Sequence, residues 1–436
     1  MTTLRISDNR RFIQHADGKP FFYLADTAWE LFHVLNREEA QRYLQNRADK
    51  GYTAIQAVVL AEIDGLTEPN AYGQIPLTDK DPTKPVEAYF EHVDFIVREC
   101  NRLGMFMAML PTWGAWLVNH PIFNLDTVRQ YGQFLGRRYR DADIIWVLGG
   151  DRPGEGVVEL WRAMAAGIAE GDGGRGIKTF HPCGGGSSTR WVHNEDWLDF
   201  NMIQSGHGRP YQTNWRYLDA DYAMAPTKPT LDGEPCYENH PIGFNRKNPR
   251  FTDHHVRCAS YWGVFHGGAG ITYGCHDIWM MHKPGRLNGS FSFNYWYESL
   301  NLPAAGEMKH LRRLMESRPY FTRIPDQAIV SSNSQIGDHM SCTRDGTAGN
   351  KDATYLMVYT PLHRRINVDS SLIASDRLNG WWFDPRTGEA SPCAANVENT
   401  GKFGADTPEA PGYDWVLVVD DAKRNYPPPG QGLVRG

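Results

Sequence analysis

Apolar and polar positions alternate along this chain in two rhythms. From about residue 20 to 317, short runs rich in apolar residues take turns with longer stretches in which apolar residues recur every three or four positions. The first rhythm suits buried strands and the second suits helices lying against them. "FFYLADTAW" (21–29) reads as a strand, and "REEAQRYLQNRADKG" (37–51) as a helix closed by a glycine. "TAIQAVVLA" (53–61), "MFMAMLPTW" (105–113) and "DIIWVLGGD" (143–151) read as strands two to four. Between and after them, 85–104, 125–141 and 157–171 read as helices; in the first, Val86, Tyr89, Phe90, Val93, Ile96 and Val97 keep helical spacing. "IKTFHP" (177–182), "FNMIQSGHG" (200–208), "KPTLDGEPCYE" (228–238) and "GITYGCHDIW" (270–279) supply four weaker strands. Helical stretches at 252–268 and 295–317, the second partly interrupted, complete the series.

Eight strand–helix units in about 300 residues predict a (β/α)8 barrel, an α/β fold, over residues 1–318, with a short β segment at its start. No glycine-rich fingerprint follows the first strand, which weakens a dinucleotide-binding alternative. Past Pro319 the runs become short, β-branched and aromatic: "QAIVSS", "TYLMVYT", "RINVDSS", "GWWFDPRTGEA" and "DWVLVVDD". They predict a small all-β sandwich over 319–425, with a loose terminus at 426–436.

Composition narrows the function. The chain has 436 residues, 41% of them hydrophobic, and a formal net charge of −6. No basic run favours nucleic acid, and no stretch of about 18 apolar residues predicts a membrane span. The start, "MTTLRISDNRRF", lacks the apolar core of a secretory signal. The sequence as written therefore points to the cytoplasm, or to a secreted or periplasmic protein if a leader has been trimmed. Seven scattered cysteines without a CxxC pair read as reduced, buried thiols. The 14 Trp and 20 Tyr are what a carbohydrate cleft uses, though a large core also holds many.

In such a barrel, chemistry gathers where strands end. The strand ends here deliver Asp26 and Trp29, Glu62 and Asp64, Trp113 and Trp116, Asp151, His181, His207, then Glu234, Tyr237 and Glu238, and finally Tyr273, His276, Asp277 and Trp279. Asp151 follows the strand "IIWVLGG", so a carboxylate stands where the chain leaves the core. It could also be a simple turn or N-cap residue. Set against a carboxylate from strand seven, it would form the acid and nucleophile pair of glycoside hydrolysis. Burial and a second carboxylate would raise its pKa, while hydrogen bonds from Tyr237 or a histidine would keep the nucleophile ionised. Spacing leaves Glu234 and Glu238 both open as that nucleophile. Asp26, His181, His207, Tyr237, Glu238, Tyr273 and His276 are candidate sugar hydrogen-bonders or their supports. Trp29 and Trp113 are the favoured stacking residues. No HExxH, HxH or GxSxG occurs, so neither a metal nor a serine nucleophile is expected, and no cofactor.

Four of these stretches in order, "GKPFFYLADTAWELF", "WVLGGDRP", "KPTLDGEPCYE" and "GITYGCHDIW", resemble the apiosidase-like glycoside hydrolases, catalogued as DUF4038 or family GH140. "WWFDPRTGEA" resembles the β-sandwich that follows the barrel there, labelled collagen-binding. The resemblance implies a retaining glycosidase with Asp151 as acid/base and Glu234 as nucleophile. It also implies a substrate related to the apiose-bearing pectic polysaccharide of plants. Without an export signal, a small oligosaccharide or glycoside is the expected form. The alternative from another class is a carbohydrate-binding protein that kept the barrel and lost the reaction.

Overall fold

The structure is a computed structural model, and it describes residues 3–286, 291–330, 337–408 and 414–432. Eight parallel strands form the barrel: β1 (Tyr23–Thr27), β2 (Ala54–Leu60), β3 (Phe106–Thr112), β4 (Ile144–Gly149), β5 (Lys178–His181), β6 (Asn201–Gln204), β7 (Thr230–Asp232) and β8 (Gly270–Tyr273). Helices α1 (Arg37–Asp49), α2 (Glu87–Arg102), α3 (Leu125–Arg138) and α4 (Val158–Asp172) follow the first four. After β5 the helix shrinks to the single turn α5 (Thr189–Val192), in a segment crowded with glycine, serine and acids. Then come α6 (Asn214–Tyr222), α7 (Asp253–Phe265) and α8 (Pro303–Glu316). The last is shorter than the pattern predicts, because Pro303 sets its first turn.

Alternation along the strands splits the core into two layers. Tyr23, Ala25, Ala54, Val58, Phe106, Ala108, Leu110, Ile145 and Val147 pack inside the barrel. Leu24, Ile55, Ala57, Val59, Met107, Met109, Trp146 and Leu148 pack outward with the helices. An N-terminal hairpin of Leu4–Ile6 and Ile13–His15 adds Leu4 and Ile13, with Phe21 after it, to the inner layer. Phe21 meets Phe106 edge-on at 5.2 Å.

The sheet runs β5-β4-β3-β2-β1-β8-β7-β6, with the short strand Gly186–Ser187 beside β6. No ladder joins β5 to β6. The seam closes instead through the backbone N–H of Asp199 to the carbonyl of Lys178 (2.9 Å) and the Thr179 hydroxyl to the carbonyl of Phe200 (2.7 Å).

The second region is a six-stranded antiparallel sheet faced by a two-stranded one, Arg365–Val368 with Phe403–Asp406. Leu356, Val358, Ile366, Leu378, Leu417 and Val419 fill the space between them. Of "QAIVSS", Gln327–Ile329 is a 3-10 turn and residues 331–332 lie outside the described residues. The sandwich packs on α7. Arg257 donates to both oxygens of Asp414 (2.8 and 3.0 Å), Tyr261 stacks on Tyr359 at 4.7 Å, and Trp262 donates to the carbonyl of His339. Tyr426 to Gly432 has no regular structure but is tied down: Tyr426 hydrogen-bonds Thr354, and the Gly430 N–H donates to Ser317. The remainder of the terminus expected to be loose, 433–436, lies outside the described residues. Among those described, no helix is long and apolar enough to cross a membrane.

Candidate active site

A cavity of about 620 Å3 opens at the C-terminal ends of the barrel strands. It is lined by Trp29, Glu62, Trp113, Asp151, Gln204, Ser205, His207, Arg209, Glu234, Tyr237, His240, Phe244 and Trp279, among others, all of them barrel residues.

Asp151 reaches it through an unusual exit from β4. Gly149, Gly150 and Asp151 all have positive φ, at 86°, 118° and 53°. A Cβ on Gly149 would lie 2.3 Å from the carbonyl oxygen of His181, so the strand can turn this closely only without a side chain. Gly150 donates to that same carbonyl and accepts from the N–H of Gly114, both at 3.0 Å. The glycines therefore lock the acid-bearing turn onto β5 and the loop after β3. Gly149→Ala is expected to cost roughly 2–4 kcal/mol from left-handed strain plus overpacking. It should also lower kcat by displacing Asp151; urea unfolding and steady-state rates on the same protein would check this.

Arg152 fixes the Asp151 side. Its guanidinium donates to the Asp151 carboxylate (3.2 Å), to Asn119 (2.6 Å) and to Glu62 (3.2 Å). Gln204 also hydrogen-bonds Asp151. Partial burial first, and the nearby negative charge of Glu234 second, raise the Asp151 pKa above its ordinary value, with the side chain still 36% exposed.

Glu234 is held the opposite way. Burial alone would raise its pKa, but the imidazoles of His181 and His207 set against its two oxygens outweigh burial and carry it well below the usual value. Nε2 of His181 lies 3.1 Å from one carboxylate oxygen, and Nε2 of His207 3.1 Å from the other. The His207 tautomer follows from its second nitrogen. Nδ1 accepts from the backbone N–H of Tyr237 (3.3 Å), so the ring proton sits on Nε2 and points at Glu234. His181 is fully buried, edge-on to Trp29 at 5.3 Å. Burial, then Glu234, holds the Tyr237 phenol far above its ordinary pKa, so it stays protonated beside that carboxylate.

The structure thus brings Asp151, Glu234, Trp29, Trp113, His207 and Tyr237 to one cavity, with His181 directly behind Glu234. It does not bring Asp26, Glu238, Tyr273 or His276 to the cavity wall. Asp26 is buried in an ion pair with Arg47 and accepts from Tyr43. Its neighbour Ala25 faces the barrel interior, so Asp26 faces the helices. Glu238 accepts from the Tyr273 hydroxyl (2.7 Å) and the Ala304 N–H (3.2 Å), outside the barrel. Burial raises the Glu238 pKa to about 6. His276 packs behind His240, its ring perpendicular at 4.5 Å. Of the other aromatics at strand ends, Trp279 lines the cavity, while Trp116 turns away to donate to the carbonyl of Ala61.

Sequence reasoning missed Gln204 and His240. Gln204 ends β6 with the periodicity of a buried strand residue. His240 lies in "YENHPIGF", a loop whose pattern predicts nothing about direction. Its Nδ1 donates to the carbonyl of Pro241 (2.8 Å), and its ring stacks on His207 at 4.5 Å. Burial, then His207 and His276, lower its pKa to about 2, so it is neutral, and Nε2 is left as an acceptor. His255 caps its own helix, and His254 hydrogen-bonds the carbonyl of Pro361. Among the described residues, no group of three or more His, Cys, Asp or Glu could hold a metal ion.

Comparison with known proteins matches residues 7–322 to the model of an apiosidase-like catalytic domain. Residues 324–420 match that of a collagen-binding domain of a collagenase. A solved structure described as a glycoside hydrolase is 35% identical, with 98% of each chain covered and a TM-score of 0.87. A glycoside hydrolase family 5 structure from Bacteroides vulgatus is 33% identical over 99% of this chain and 96% of its own, with a TM-score of 0.88. Among curated proteins there is no match. The apiosidase-like model spans residues 7–322, well over half of the chain, and the 35% identical glycoside hydrolase matches nearly all of it: the chain belongs to the apiosidase-like family of glycoside hydrolases.

Proposed function

We propose that this protein is a retaining glycosidase acting on a plant-derived, apiose-bearing oligosaccharide or glycoside. Asp151 is the acid/base and Glu234 the nucleophile. The observation that carries the reading is two carboxylates in one cavity with opposite surroundings: Asp151 beside a second negative charge, Glu234 with an imidazole 3.1 Å from each of its oxygens. Asp151 protonates the glycosidic oxygen as Glu234 attacks the anomeric carbon, and the leaving sugar departs. Asp151, now ionised, takes a proton from water, whose oxygen displaces Glu234. Glu238 is set aside as nucleophile because its carboxylate is spent on Tyr273 and Ala304 outside the cavity. Trp29, Trp113 and Trp279 offer apolar faces to the ring, and His240, Gln204 and Tyr237 offer polar partners to its hydroxyls.

Proton NMR of the first-formed product from a 4-nitrophenyl apioside tests the mechanism. The initial product should keep the anomeric configuration of the substrate. Inversion would replace the covalent route with direct attack by water.

A further inference from the structure

Asp232 opens the "DGE" turn that carries Glu234, yet no step of the proposed mechanism uses it. It is the last residue of β7, it is buried, and it does not line the cavity. Its neighbour Leu231 packs inside the barrel, so Asp232 faces the helices. One of its oxygens accepts from the Ser205 N–H (3.3 Å), the other from the Ser205 hydroxyl (2.6 Å) and from Nδ2 of Asn214 on α6 (3.2 Å). The Glu234 N–H also donates to it. Asn214 is itself fixed by the carbonyl of Ala259 on α7 (2.8 Å). Burial raises the Asp232 pKa to about 6, against the pull of these hydrogen bonds, so the carboxylate is ionised above neutral pH.

Ser205 begins the exit from β6. Gln204, just before it, hydrogen-bonds Asp151, and His207, two residues after it, donates to Glu234. On the facing strand Glu234 stands two residues after Asp232. Asp232 with Ser205 and Glu234 with His207 are therefore two rungs of one short ladder, joined on each side by two residues of backbone. Main-chain bonds run between the same exits: the Gly233 N–H to the carbonyl of Ile203 and the Gly206 N–H to the carbonyl of Glu234, both 2.9 Å. From the barrel interior, Gln56 on β2 donates to the carbonyl of Gly233 (3.0 Å).

The geometry points to Asp232 as a positioning residue: from behind the cavity, its carboxylate aligns "QSGH" (204–207) with "DGE" (232–234), and so places His207 against the nucleophile and Gln204 against the acid. This rests on Asp151 and Glu234 being the reacting pair and names what holds their partners in place. A carboxylate suits the task because both of its oxygens accept, and bonds to an ionised acceptor are about twice as strong as neutral ones. An amide in its place turns one acceptor into a donor facing other donors.

NMR of nitrogen-15-labelled histidine rings, at mildly alkaline pH where Asp232 is ionised, tests this without requiring turnover. In the wild type the His207 Nε2 proton, given to Glu234, should lie downfield and exchange slowly with water. In Asp232→Asn it should move upfield and exchange faster, while His92 on α2, whose Nε2 pairs with the carbonyl of Leu35, keeps its signals. The kcat on 4-nitrophenyl apioside should fall about 10- to 100-fold, the scale of a small misplacement of reacting groups. Ser205→Ala removes one bond of the clamp and should move the His207 proton the same way by less; it carries the test if Asp232→Asn does not fold. An unchanged His207 proton in either folded variant would overturn the proposal. Loss of the His92 and His207 signals together in both variants would do so too, by making Asp232 a residue of the fold alone. If the His207 proton moves as expected but the wild type does not cleave the apioside, the glycosidase reading fails and the clamp stands.

Discussion

Replacing Glu234 by Gln is expected to abolish turnover, with a loss on the order of 10^4- to 10^6-fold, as removal of a nucleophile usually brings. The amide keeps the size of the side chain, and its oxygen can still accept from a histidine, so circular dichroism and thermal unfolding should show an intact fold. The substitution has a second, independent effect. The Glu234 charge is one of the forces that keeps the Asp151 proton in place. Without that charge Asp151 ionises more readily, and its pKa falls. Carbon-13 NMR of the labelled carboxyl would register the fall. An unchanged Asp151 titration would mean that the two groups do not sense each other.

Asp151→Asn should cost less, about 10^2- to 10^4-fold, because it removes proton transfer and leaves the nucleophile in place. The loss should be smallest for substrates whose leaving group needs no proton, such as glycosyl fluorides, and largest for sugar leaving groups. The pH profile supplies the matching test. Asp151 must be protonated at the start of the cycle, so wild-type kcat/KM falls as pH rises through its raised pKa. Glu234 must be ionised, so activity also falls as pH drops through its depressed pKa, below the ordinary glutamate value near ~4.3. The Asn variant should lose the alkaline limb and keep the acid one. A variant that retains both limbs would remove Asp151 from the mechanism.

Much of the barrel was legible because buried strands and amphipathic helices write different periods into a sequence. The two carboxylates that line the cavity were legible where a polar residue interrupts an apolar run at a strand end, as in "GGD" and "DGE". Asp26 and Tyr273 show where that argument fails. They are paired in register on β1 and β8, and their sides of those strands face the helices. There Arg47, 21 residues beyond Asp26, claims the carboxylate and lies over the Tyr273 ring at 5.7 Å. The alternation Tyr23, Ala25 inside and Leu24, Asp26 outside was available in the sequence, but a strand-end reading ignores which face a residue takes. His240 was illegible for another reason: loops carry no period, and only the packed rings of His207 and His276 give it a direction.

The tautomer of His207 limits how protons can travel. Its lone ring proton is already given to the Glu234 carboxylate, and the neighbouring His240 has committed its own to a backbone carbonyl. Neither imidazole has a hydrogen to spare for a departing alcohol. In the proposed mechanism delivery of that hydrogen falls to Asp151, which recovers it from water when the sugar is released. The enzyme therefore closes each round with the charge it started with, and acidity in the surrounding buffer acts on the rate only by setting how much of the protein is primed.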